Sequence, residues 1–178
     1  MGTAAGSTLP VGNAQAAEAL AGDDALVAFL RSVELAGVRL YAAAEPFLTT
    51  PAARAAVTAF SAHHAAHAAG LAVVGGDTAV RANAALLANL SASMQTVRTE
   101  ADELSLLYSF EEQVAATYQW VVGRLVAPSV LGEAATILPV EAEHAVVMGT
   151  LLSKPMDGLV PPFQTDTGYL NPDNFPVG

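Results

Sequence analysis

Three of the four histidines fall within one stretch, FSAHHAAHAAGL (60–71), as His63, His64 and His67. The fourth, His144, stands three residues after Glu141 in LPVEAEHAVV (138–147). Imidazole nitrogen and carboxylate oxygen together suit Fe, Mn or Zn, so these spacings raise metal chemistry. Residues at i and i+3 share a helix face. His64 and His67 therefore form one candidate pair, and Glu141 and His144 another. Glu34 in VELAGVRLYAAA (33–44) and Glu111 in SFEEQVAATYQWVVGRL (109–125) stand in otherwise apolar segments. Each is followed seven residues on by a tyrosine, Tyr41 or Tyr118, two turns away on the same face. These phenols read as core aromatics or as outer hydrogen-bond partners of the glutamates. His63 turns about 100° from His64 and is expected in solvent.

One offset of 77 residues relates these positions: 34 to 111, 41 to 118, 64 to 141 and 67 to 144. It also relates Pro51 to Pro128, and proline suits the first position of a helix. The chain therefore reads as two copies of one helical hairpin. Glu34 lies about 16 residues before the turn near Thr50, with His64 and His67 about 14 and 17 after it. Glu111 lies about 17 residues before Pro128, with Glu141 and His144 about 13 and 16 after it. At 1.5 Å per residue, each set reaches one height in an antiparallel pair. Two hairpins packed face to face bring Glu34, His64, His67, Glu111, Glu141 and His144 together. Buried carboxylates are costly unless paired or metal-bound. One Glu from each of two helices and Glu-x-x-His from each of the others is the ligand pattern of di-iron carboxylate bundles.

The elements that must hold these residues are helices. Hydrophobic residues make up 53% of the 178, charged residues only 13%, and alanine, the best helix former, dominates. Residues 1–13 read as a flexible arm, 14–154 as an all-α bundle and 155–178 as an extended tail. The first helix runs from about Ala14, or from after a break at Gly22-Asp23, to about Glu45. Thr50 and Pro51 start the second as N-cap and first residue, and Gly75-Gly76 ends it. Residues 77–97 form a partly helical connector. The third helix spans about Arg98 to Val126 and the fourth about Pro128 to Lys154. Asp23, Asp24, Asp102 and Glu103 read as capping and first-turn charges. Glu112 and Glu143 are expected on exposed faces, and Trp120 in packing. The prolines after Lys154 forbid regular helix. Phe163, Tyr169 and Phe175 point to a tail packed on its own bundle or on a neighbouring subunit, so a homo-oligomer built through the tail stays open.

The net charge of −10 and pI near 4.6 argue against nucleic-acid or anionic-membrane partners. The absence of cysteine excludes disulfides, thiolate metal sites and cysteine catalysis. The sequence offers no membrane span and no signal peptide. A mature chain trimmed of its signal would look the same, so a cytoplasmic or an extracytoplasmic location both remain open.

The segments 33–44, 60–71, 109–125 and 138–152 resemble the ferritin-like superfamily, in particular bacterial ferritin-like domain proteins related to desiccation-associated proteins. The resemblance covers roughly residues 24–153. It implies a four-helix bundle of two hairpins with a long crossover, and metal ligands at Glu34, His67, Glu111, Glu141 and His144. The family's second helix carries Glu-x-x-His, its Glu bridging two metals. Here His64 occupies that place, and an imidazole cannot bridge as a carboxylate does. The implied cofactor is Fe, with Mn or Zn as alternatives, as one or two ions. The implied function is oxidation of Fe(II) or Mn(II) by O2 or peroxide. The alternative is a non-enzymatic structural or cell-envelope protein retaining a degenerate site. A zinc hydrolase is weaker for want of a substrate pocket. An iron-storage cage is disfavoured because the proline-rich tail replaces a fifth helix.

Overall fold

A computed structural model of the chain describes the backbone of residues 11–75 and 79–178, and side chains from residue 22 onward within those spans. Six α-helices occur among the described residues: α1 (Val11–Ala44), α2 (Pro51–Val74), α3 (Ala84–Met94), α4 (Glu100–Val122), α5 (Pro128–Leu151) and α6 (Met156–Leu159). No strand occurs among them. Helices α1 and α2 form one hairpin and α4 and α5 the other. The hairpins meet through α1 against α4 and α2 against α5, and α3 lies in the crossover between them. This is the expected all-α bundle with a long second connection.

Apolar residues spaced by three and four build each inner face. On α1 these are Phe29, Leu30, Val33, Ala36 and Leu40; on α4 they include Leu107, Val114 and Val121, all buried. Burying one such large aliphatic side chain stabilises by about 1.5–3 kcal/mol. Thr50 caps α2 as expected, its hydroxyl accepting from the Ala53 amide at 3.4 Å, with Pro51 as the first residue. Thr99 and Asp102 form a capping box at the start of α4.

Several boundaries differ from expectation. The expected arm of 1–13 ends early, because Val11 already opens α1; residues 1–10 lie outside the described residues. Of the two starts left open for the first helix the earlier holds: α1 runs unbroken through Gly22 and Asp23. A glycine inside a helix costs only about 1 kcal/mol relative to alanine, too little to end a helix whose following turns bury a core face. Helix α4 ends at Val122, four residues before the expected Val126, and α5 at Leu151 instead of Lys154. Helix α5 also contains Pro139. Its missing N–H leaves the Ala135 carbonyl without a helical donor, and both residues are exposed. Gly75 closes α2 at φ −95°. Its small size is needed because a Cβ there would strike Val27.

The C-terminal segment departs from a wholly extended form in the short α6 and in turns at 167–168 and 172–174. It returns over its own bundle. The Leu170 amide donates to the Thr117 hydroxyl at 2.9 Å, and Leu170 is buried. Tyr169 stacks on Trp120 at 4.7 Å between centroids, and the Arg124 guanidinium lies 4.0 Å from the same indole. Asn83 caps α3 through its carbonyl oxygen and donates its amide to Ser32 Oγ at 3.1 Å and the Phe175 carbonyl at 2.9 Å. Phe175 packs against the core, whereas Phe163 is exposed. No helix among the described residues is long and apolar enough to cross a membrane.

Candidate metal centre

Glu34 comes from α1, His64 and His67 from α2, Glu111 from α4, and Glu141 and His144 from α5. The structure brings all six to one level, as the heights along the two hairpins require. Five are buried and His67 is 12% exposed at its side chain. His64 lies at the middle. Its Nδ1 is 2.7 Å from Glu34 Oε2 and its Nε2 is 3.1 Å from Glu111 Oε1. His67 Nδ1 stands 2.6 Å from Glu141 Oε1 and 3.6 Å from Glu34 Oε2. His144 Nδ1 lies 3.2 Å from Glu141 Oε2 and 3.3 Å from Glu111 Oε2.

The tyrosines cross between the hairpins. Tyr41 of α1 donates to Glu111 of α4 at 2.5 Å, and Tyr118 of α4 donates to Glu34 of α1 at 2.5 Å. Burial first, then the facing carboxylate, raises both phenols well above their ordinary value. They therefore remain donors. Aromatic rings close the site: Phe60 stacks on His144 at 3.9 Å, and Phe110 meets the His64 ring edge-on at 5.7 Å. Gly37 provides the space for His64. A Cβ at that position would come within 3.0 Å of His64 Cγ.

Burial raises the Glu34 carboxyl, but the hydrogen bond from His64 and the nearby His64 and His67 imidazoles outweigh it and hold it below its ordinary value. Glu111 is likewise lowered: burial works against ionisation, and His64 and His144 overcome it. Glu141 is raised by burial and by the charge of Glu34, against the opposing pull of the histidines. Burial works against charge on all three imidazoles, and the carboxylates reverse it. His64 is raised well above its ordinary value, chiefly by Glu111 and Glu141; His67 reaches about 9; His144 is also raised. Without a metal, protons on imidazole balance the buried carboxylates.

The defining pattern of the ferritin-like domain matches residues 48–154. The chain belongs to the ferritin-like family. No curated protein and no solved structure matches it. Within this ferritin-like domain the match begins at the α1–α2 turn, so Glu34 and Tyr41 precede the matched span.

The donors of the ferritin-like domain sort into two groups that could hold a metal ion, one of Glu34, His64, His67 and Glu141 and one of His64, Glu111, Glu141 and His144. Ligand atoms bound to one ion at about 2.0–2.2 Å lie roughly 3–3.6 Å from one another, and the separations above bracket that range. His67 Nδ1 and Glu141 Oε1 supply a second test. Both are buried and 2.6 Å apart, yet neither makes an aligned hydrogen bond. Two donors converging off-axis in this way suit a shared cation better than each other.

Three features were not legible beforehand. His63 is exposed as expected, but it is no bystander: its Nδ1 lies 2.9 Å from His144 Nε2, and the rings stack at 5.2 Å. Asp23 is buried inside α1 and caps a different helix, accepting from the Val126 and Ala127 amides ahead of α5. Glu100 does the same for the other turn, accepting from the Thr49 and Thr50 amides at 2.7 and 3.0 Å. Positions 23 and 100 are themselves 77 apart, a signal available in the sequence. Glu103 is fully buried, with no hydrogen-bond partner for either oxygen among the described residues. It stands in the first turn of α4 as expected, but there burial raises it to about 7.

Proposed function

We propose that this ferritin-like protein is an iron- or manganese-dependent oxidoreductase of the ferroxidase or peroxide-reacting type. The observation that carries the proposal is the sharing of one buried level by three carboxylates and three imidazoles in two overlapping ligand groups. Glu34, Glu111 and Glu141 would hold the metal and neutralise it; His64, His67 and His144 would complete its sphere. A bound Fe or Mn supplies one-electron chemistry toward O2 or peroxide.

The chain's own groups supply the rest. Tyr41 and Tyr118 orient one oxygen each of Glu111 and Glu34, leaving the remaining lone pairs for the cation. Outer partners of this kind typically contribute 10–100-fold in metal affinity. Phe60, Phe110 and the buried phenols keep bulk water out, which strengthens charge interactions inside. His67 is the only one of the six with an exposed edge above a few per cent, so exchange with solvent runs along the α2–α5 side. The surface groove of about 760 Å³ between the C-terminal segment and the α4–α5 hairpin is lined by none of the six.

Addition of Fe(II) under anaerobic conditions, followed by O2, tests the reading through absorbance and metal analysis. Wild type is expected to retain the metal and to oxidise it faster than Glu34→Ala, His67→Ala or His144→Ala. A wild-type protein that cannot be loaded with Fe, Mn or Zn sinks the proposal.

A further inference from the structure

We propose that His64 binds two metal ions at once, presenting Nδ1 to the group completed by Glu34 and His67 and Nε2 to the group completed by Glu111 and His144. This rests on the metal-centre reading above and goes beyond it, because it fixes both the number of ions and the bridge. The two nitrogens face different carboxylates, Glu34 Oε2 at 2.7 Å and Glu111 Oε1 at 3.1 Å. Glu141 divides in the same sense. Its Oε1 lies 2.6 Å from His67 and 3.8 Å from His64 Nδ1, while its Oε2 lies 3.2 Å from His144. Each of the two groups thus has four donors, with His64 and Glu141 common to both.

The ring cannot turn away from this position. His64 is 0% exposed, with Gly37 against one face and Phe110 and Tyr41 at 5.7 and 5.1 Å between centroids. A glutamate here would offer two oxygens on one carbon; imidazole offers two nitrogens on opposite edges of a ring. Charge also closes. When two divalent ions displace both ring protons to bulk water, the imidazolate and three carboxylates carry four negative charges against four positive. A single ion beside a protonated His64 is neutral too, so the number of ions rests on geometry: the two ring nitrogens and the two Glu141 oxygens serve different groups.

Equilibrium dialysis of the full chain against Mn(II), with metal analysis and low-temperature EPR, tests the bridge. The expected result is two ions per chain and a spin-coupled signal. His64→Ala should abolish the coupling and weaken the second ion by at least about 100-fold, more than the 10–100-fold typical of outer partners. His64→Glu should restore two coupled ions. NMR of wild-type protein labelled with 15N-histidine and loaded with Zn(II) needs no variant, and should show no proton on either His64 ring nitrogen. One ion per chain at saturation, a surviving His64 N–H with zinc bound, or coupling retained in a folded His64→Ala overturns the bridge and leaves the metal-binding function standing. No binding at all overturns both.

Discussion

The α1–α2 and α4–α5 hairpins place matching residues at matching heights but differ in how they fill one ligand position. The first puts His64 on α2 against Gly37 of α1. The second carries Glu141 at the position that matches His64 and Val114 at the position that matches Gly37. Positions 37 and 114 are again 77 apart. Val114 is fully buried, and Gly37 leaves room for the imidazole. The exchange of Glu for His is therefore accompanied by an exchange of Val for Gly on the facing helix, as volume demands in a core packed to crystal-like density. The comparison teaches that His64 is accommodated on its own terms: the first hairpin is built around an imidazole.

Removing the carboxylate that serves both donor groups should have the largest effect. Glu141→Ala is expected to lower metal affinity at least 100-fold, and more than His67→Ala, which touches one group; isothermal titration with Mn(II) measures both. Equal losses would break the asymmetry. Next comes Gly37→Val, which gives the first hairpin the residue of the second. Overpacking against the His64 ring should cost about 3 kcal/mol, lowering Tm by roughly 6–12 °C. The same substitution in a His64→Ala background should cost far less, and an additive double-mutant cycle would contradict the paired exchange.

Glu103 corresponds to Leu26 of the first hairpin, and Glu103→Leu should remove a buried unpaired carboxyl costing about 2 kcal/mol. Its pKa is raised to about 7 in the fold against an ordinary value near 4.5. Between those values the native state binds more protons than the unfolded chain, so wild-type stability falls as pH rises through that window. The Tm gain of Glu103→Leu should therefore be larger at pH 8 than at pH 5.5 in calorimetry; a constant gain would exclude the ionisation. The smallest effects belong to the crossed turn caps. Asp23→Ala removes a buried acceptor and should cost about 1.5 kcal/mol in chemical denaturation. Glu100→Ala should cost less, because Glu100 is less buried than Asp23. Glu100 is held down to about 2, chiefly by Thr49 and Thr50. Its contribution is present above its ordinary value near 4.5 and disappears as pH falls through about 2.

Much of the fold was readable from local chemistry. Thr50-Pro51 marks the start of α2 because the cap and the first residue satisfy adjacent backbone groups. The level meeting of Glu34 with His64 and His67 follows from counting residues on either side of a turn, since helical rise is constant. The sequence left open whether α1 starts near Ala14 or after Gly22-Asp23, and the unbroken passage was decided by tertiary packing, which outweighs a penalty of about 1 kcal/mol. The contact of His63 with His144 was not readable for a related reason. Helical rotation takes it off the face of His64, but the ring it meets is on α5, 81 residues away.

By itself the sequence determined the six donor-type residues, the helical period that aligns them, the matching offset of 77 and the presence of His64 where the matching position 141 holds glutamate. All of these depend on composition and spacing along single helices. Only the tertiary structure decided which nitrogen faces which oxygen, that Tyr41 and Tyr118 cross between hairpins, that Asp23 and Glu100 clamp each other's turns, and that Glu103 is buried unpaired. Those relations depend on the rotation and separation of helices distant in sequence. Packing of the whole core sets these quantities, and no local propensity encodes them.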